Sequence, residues 1–202
     1  MSSQAKRAVS QRRTESRQPG RVCGECTLCC TLLRVDELKK LGGTPCAQLR
    51  QAPSEPGCSI HEKRPRICRA YACLWLSGGL DGEDRPDRLG AVLDLVSEGH
   101  IAKLRVHEAV PGAYDASPRL RSVVARFRAS MPVRISDVAR PLDPDARVRE
   151  LFPDGSERIV EGDHVTELRA GAAAQRRRLG LPLRVARRAL ARLRVLRLRD
   201  YR

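Results

Sequence analysis

At 202 residues the chain is long enough for one compact domain with tails, or for two small domains. Its 3% aromatic and 41% apolar content predict a modest aliphatic core, so a cysteine-rich stretch here needs support from bonds to something else. The +15 net charge is almost wholly arginine, which fits either a surface for phosphate-bearing partners or a codon bias. No stretch approaches the roughly 18 unbroken apolar residues of a transmembrane segment, and the start lacks the apolar core of a secretory signal. A cytoplasmic location is expected.

In chain order, residues 1–20 are polar, basic and aperiodic, and read as a disordered leader. Residues 21–78 hold every cysteine. Within them "TLLRV" (31–35) predicts a short strand, and "DELKKLG" (36–42) predicts a short helix ended by Gly42. The Gly- and Pro-rich text after it predicts loop. "RPRICRAYACLWLSGG" predicts a helix from Pro65 to the Gly78–Gly79 stop, with Ile67, Ala70, Tyr71, Leu74 and Trp75 on one face.

Residues 79–164 read as an α+β body. "LGAVLDLV" (89–96) and "HIAKLRVHEA" (100–109) predict strands joined by a short turn. "SPRLRSVVARFRAS" (117–130) predicts a helix capped by Ser117, with Pro118 at its first position. "PVRIS", "RVRELF" and "ERIVEG" predict three further strands, the last two joined by the turn "PDGS". The sum is a small antiparallel sheet with a helix against it. Residues 165–202 predict a basic helical tail: helix over Val165 to Arg178, an interruption at Gly180 and Pro182, then Leu183, Ala186, Leu190, Leu193 and Leu196 on one side with arginines around the rest.

The chemistry-bearing pattern is "CGECTLCC". Cys23, Cys26, Cys29 and Cys30 are followed by Cys46, Cys58, Cys68 and Cys73, and then by no cysteine up to Arg202. Thiols stay reduced in the cytosol, so clustered cysteines there predict metal ligands or redox groups rather than disulfides. A C-x2-C turn can bring two sulfurs onto one ion, and soft thiolates suit zinc, copper(I) or iron–sulfur clusters. All eight are candidate ligands, and the spacing leaves open one site with spare thiols or two four-coordinate sites. His61 could add a nitrogen ligand but reads more simply as a loop histidine. Glu62 and Arg64 predict a local ion pair. Arg66 and Arg69 flank Cys68 and predict a lowered thiol pKa there, and Trp75 is expected to pack over the cysteines and exclude water.

"CGECTLCC", then "PC", then "GCSIHEKRPRICRAYACLWL" resemble the YkgJ-type cysteine-cluster family, the zinc- or iron-chelating domain with a CxxCxxCC signature. Gly57, Cys58, Ile60, His61, Glu62, Arg64, Pro65, Cys68, Arg69, Tyr71 and Cys73 match its second stretch, so the resemblance runs from residue 23 to about 77. It implies chelation of zinc or iron by the eight cysteines, with an iron–sulfur cluster as one form. A flagellin lysine methylase is similar across the same cluster, which implies a protein-modifying enzyme as an alternative.

The chain contains no G-x-S-x-G, phosphate loop or H-E-x-x-H, so no independent catalytic set is predicted. The expectation is a small loop-rich, metal-stapled cysteine domain joined to an antiparallel sheet with helices. Its basic tail, Arg176–Arg202, is expected to offer a surface to nucleic acid, an anionic membrane or a protein groove.

Overall fold

The computed structural model describes residues 18–50, 57–98, 101–137 and 147–199. The predicted leader lies outside them, apart from its last residues. Seven strands form one sheet in chain order: β1 (Ala91–Glu98), β2 (Ile101–Glu108), β3 (Val133–Asp137), β4 (Val148–Leu151), β5 (Glu157–Glu161), β6 (His164–Leu168) and β7 (Gln175–Arg178). Every neighbouring pair is antiparallel except β2 and β3, where Leu104 faces Val133 in a parallel register. A parallel step needs a crossover. Here it is made by two helices that follow the short α1 (Leu28–Leu32), α2 (Arg66–Ala70) and α3 (Pro86–Leu89): α4 (Ala113–Ala116) and α5 (Pro118–Arg128). A last helix, α6 (Leu181–Arg199), follows β7. The mixed α+β class is as expected.

α5 begins as its sequence requires. Pro118 fills the first position, and the Ser117 hydroxyl accepts from the Leu120 amide at 3.1 Å. Its apolar stripe, Leu120, Val123 and Val124, is fully buried. Strand alternation presents Ala91 and Leu93, Leu104 and Val106, Val133 and Ile135, and Leu151 to that stripe. Leu74 completes the cluster from the cysteine-bearing region, with Leu80 and Leu89 from the stretch that leads into β1. A polar border closes this layer: Arg128 and Arg149 both pair with Glu157, at 3.0 and 2.7 Å.

The opposite face of β1 is also covered. Val92 is wholly buried and Asp94 nearly so, because α1 packs against β1 and the Leu74 amide donates to the Leu93 carbonyl at 2.7 Å. The cysteine-bearing segment is thereby attached to the sheet.

Several local expectations are corrected. Residues 31–32 belong to α1 rather than a strand, because the Leu33 amide closes the last turn onto the Cys29 carbonyl at 3.0 Å. "DELKKLG" gives only a 3-10 turn, Asp36–Leu38, which Lys39 ends in the left-handed region with φ 51°. The helix predicted from Pro65 stops at Ala70, because Tyr71 turns extended (φ −78°, ψ 130°) and carries the chain to its contacts with β1. Helical periodicity loses there to tertiary pairing. Residues 165–178 are not helical: Gly162, at φ 54°, makes a two-residue turn that folds β6 back on β5, and β7 pairs with β6 in turn.

Candidate metal centre

The site is built on α1 and the loops around it. The Cys26 amide donates to the Cys23 carbonyl at 2.9 Å, so the first C-x2-C is a closed turn. Cys29 and Cys30 are adjacent on α1. The Cys46 amide donates to the Cys30 carbonyl at 3.1 Å, and the Leu49 amide donates to the Cys46 carbonyl at 3.0 Å. Leu49 forms a bridge with Cys58, which brings the third loop onto the second. Cys68 lies on α2, and Cys73 lies one residue before the Leu74–Leu93 bond. All eight thiols are free; Cys46 is buried and the other seven are partly buried.

A buried cation that the sequence reading missed holds α1 in place. Lys40 is 5% exposed. The left-handed Lys39 lets Val35 and Lys40 exchange two backbone hydrogen bonds, both 3.0 Å, and this aims the Lys40 stem inward. Its ammonium donates to the carbonyls of Thr31 and Leu41, each at 3.0 Å, and to that of Leu33. Thr31 and Leu33 are at the end of α1, where carbonyls have no partner within the helix. Gly42 leaves room beside them, since a Cβ there would stand 3.1 Å from the Leu32 carbonyl oxygen. Lysine is rare in this chain, and its compact head with three donors suits three converging carbonyls better than a planar guanidinium does.

The thiols are electrostatically unequal. Cys29 donates to Cys30, and this hydrogen bond, with burial, pushes the Cys29 thiol well up. The same bond draws Cys30 down, with help from the Lys40 and Arg64 charges and against its own burial. Burial raises Cys26, and it pushes Cys73 up to about 11. Cys68 is also raised, by burial and then by Cys30, Cys46 and Cys58. The lowering expected from Arg66 and Arg69 is therefore corrected: Arg69 turns away to the Arg64 carbonyl, at 2.7 Å. Burial in turn lowers the pKa of Lys40, against the pull of the nearby thiols.

Beside Cys73 and Cys29 lies a polar cluster on the covered face of β1 and β2. The Tyr71 hydroxyl is 3.4 Å from Asp94, and Arg105 binds the same carboxylate at 2.8 and 3.0 Å. The His107 Nε2 is buried 3.7 Å from Asp94, and its Nδ1 is 3.5 Å from the Ser136 hydroxyl. Burial raises Tyr71, reinforced by the Asp94 charge and by Cys73 and Cys29. No motif marks this cluster, because register alone assembles it: Asp94 faces Arg105, and His107 faces Ser136.

His61 is exposed, and its Nε2 lies 2.7 Å from Arg64, which is the partner found for Arg64 in place of Glu62. Trp75 packs at the border of the core, donates to the Gly82 carbonyl at 3.0 Å and lies 5.2 Å beneath the Arg21 guanidinium.

No family profile, curated protein or solved structure matches this chain. Among the described residues, no group of three or more His, Cys, Asp or Glu side chains is placed to hold a metal ion, and no helix is long and apolar enough to cross a membrane. The donor chemistry nonetheless fits a soft cation: the thiols are reduced, neighbouring and attached to short loops.

Proposed function

We propose that this chain is a zinc- or iron-binding cysteine-cluster protein of YkgJ type, with the metal held by thiolates among Cys23, Cys26, Cys29, Cys30, Cys46, Cys58, Cys68 and Cys73. The support for this reading is eight free thiols carried on two short helices and loops that are bonded to one another, Cys26 to Cys23, Cys46 to Cys30 and Leu49 bridged to Cys58. A coordination shell need not be closed before the ion arrives, since metal binding supplies folding energy to small loop-rich sites. The ion would contribute a structural or Lewis-acid centre if zinc, or an electron carrier if an iron–sulfur cluster. The chain itself orients Cys29 and Cys30 through Lys40, and it excludes water on the β1 side with Tyr71 and Val92. Anaerobic purification followed by elemental analysis and an absorption spectrum tests the reading. Stoichiometric zinc or iron supports it, and compact, folded protein without transition metal refutes it.

A second reading concerns α6. Leu181, Leu183, Val185, Leu190 and Leu193 are all more than half exposed, so these apolar side chains do not pack on the domain. The helix is held at its start instead, by Arg184 and Arg188 on Asp163 and by Arg187 on the Gly162 carbonyl. An arginine-rich helix with free apolar side chains suits an anionic membrane surface, and the tail carries only Tyr201 for base stacking. Co-sedimentation with anionic vesicles that survives deletion of residues 181–202 would refute this role.

A further inference from the structure

The geometry points to two separate four-sulfur sites, one formed by Cys23, Cys26, Cys29 and Cys73 and the other by Cys30, Cys46, Cys58 and Cys68, divided at the Cys29–Cys30 peptide bond. This rests on the metal-binding reading above and deepens it.

The first set is joined through the start of the described chain. Cys23 and Cys26 share one turn. Arg21, two residues before Cys23, donates to the carbonyls of Trp75 and Leu80 at 2.6 and 2.9 Å and lies over the Trp75 ring. Trp75 is two residues past Cys73, so the segments bearing Cys23 and Cys73 are tied together. Both meet α1, which packs on β1 where Leu74 pairs with Leu93. The second set is joined by different bonds: Cys46 to Cys30, Leu49 to Cys46, and the Leu49–Cys58 bridge. The Ser59 amide adds a bond to the Gln48 carbonyl at 2.8 Å, and the His61 amide returns to the Cys58 carbonyl at 3.2 Å. Arg64, which contacts His61 at 2.7 Å, leads directly into α2 and Cys68.

Four thiolates per set match the usual closed shell of a structural zinc ion. The C-x2-C-x2-C-C run therefore supplies three ligands to one ion and begins the next.

The test is zinc counting on the full chain by native mass spectrometry, after reduction and anaerobic zinc loading. Two ions per chain are expected. A pair of serine substitutions within a set, Cys58→Ser with Cys68→Ser, should leave one ion. A pair drawn from both sets, Cys58→Ser with Cys73→Ser, should disturb both. One ion in the unsubstituted chain overturns the two-site inference and leaves the metal-binding reading standing; no ion overturns both. If the variants do not fold, alkylation of the unsubstituted chain loaded with one equivalent of zinc decides the matter. Thiols protected together on one molecule must be the four of one set, and mixed protection refutes the division.

Discussion

Replacing Lys40 with methionine keeps the length and apolar stem of the side chain and removes its three donors. The Leu41 carbonyl retains the Thr44 hydroxyl, at 2.8 Å, but the Thr31 and Leu33 carbonyls lose the ammonium that serves the end of α1. A carbonyl left without its partner in a buried place costs about 1–2 kcal/mol, so two of them cost about 3 kcal/mol. Burying a methionine costs less than burying a lysine charge, which offsets part of that loss and makes about 2–3 kcal/mol the expected net. Trp75 is the only tryptophan and packs at the core's border, so its fluorescence reports unfolding in urea. With a slope of about 2 kcal/mol per molar, the midpoint should fall by about 1–1.5 M. A midpoint within about 0.2 M of the unsubstituted chain would show that the lysine does not hold this helix end, and the account of how Cys29 and Cys30 are oriented would fail with it.

Asp84 is 1% exposed and accepts from Arg119 at 2.7 and 2.9 Å, so Asp84→Ala should cost about 2–4 kcal/mol, read as a lowered melting temperature by circular dichroism. Burial pushes Asp94 up, but His107 and Arg105 more than offset it and hold the carboxyl below its usual range. Its contribution is then fully present above the ordinary aspartate value of about 4 and is lost as pH falls through the lower folded value. Asp94→Asn should accordingly reduce stability at neutral pH and flatten the loss below about pH 4, as followed by urea titration at several pH values; an unchanged acid limb counts against the Arg105–Asp94 contact. At Gly79 a Cβ would fall 2.4 Å from the Leu74 side chain, so Gly79→Ala should destabilise by about 1–3 kcal/mol, with a matching fall in the urea midpoint. Deleting residues 181–202 should leave the melting temperature within about 2 °C, because the exposed leucines of α6 add little to the core.

The sheet was largely legible because its strands alternate cleanly and its turns carry Gly, Pro and Asp. The "PDGS" turn and the Ser117 cap are where local chemistry and tertiary structure agree. The cysteine region was less legible. Its helices are five residues each, too short for periodicity to set their ends, and backbone bonds to distant segments decide them. Thr31 and Leu32 have strand-like neighbours, yet they close a turn whose carbonyls wait for Lys40. β7 reads as a run of polar and basic residues with no apolar alternation, so only its pairing with β6 reveals it. The positions of Asp94, His107 and Ser136 follow from strand register, which a single sequence does not display.

The sheet's two margins are treated differently. Along β7, Arg176, Arg177 and Arg178 are exposed, and a second chain laid alongside in the same way would set arginine against arginine. Beyond β1 there is no such charge barrier; the Leu74 amide, one residue after Cys73, occupies the Leu93 carbonyl instead. If the thiol-bearing segment peels away, through oxidation or harsh chelation, that carbonyl row becomes a free template for another strand. Clumping of damaged protein is then expected to start at the β1 margin, and the cysteine segment acts as its guard.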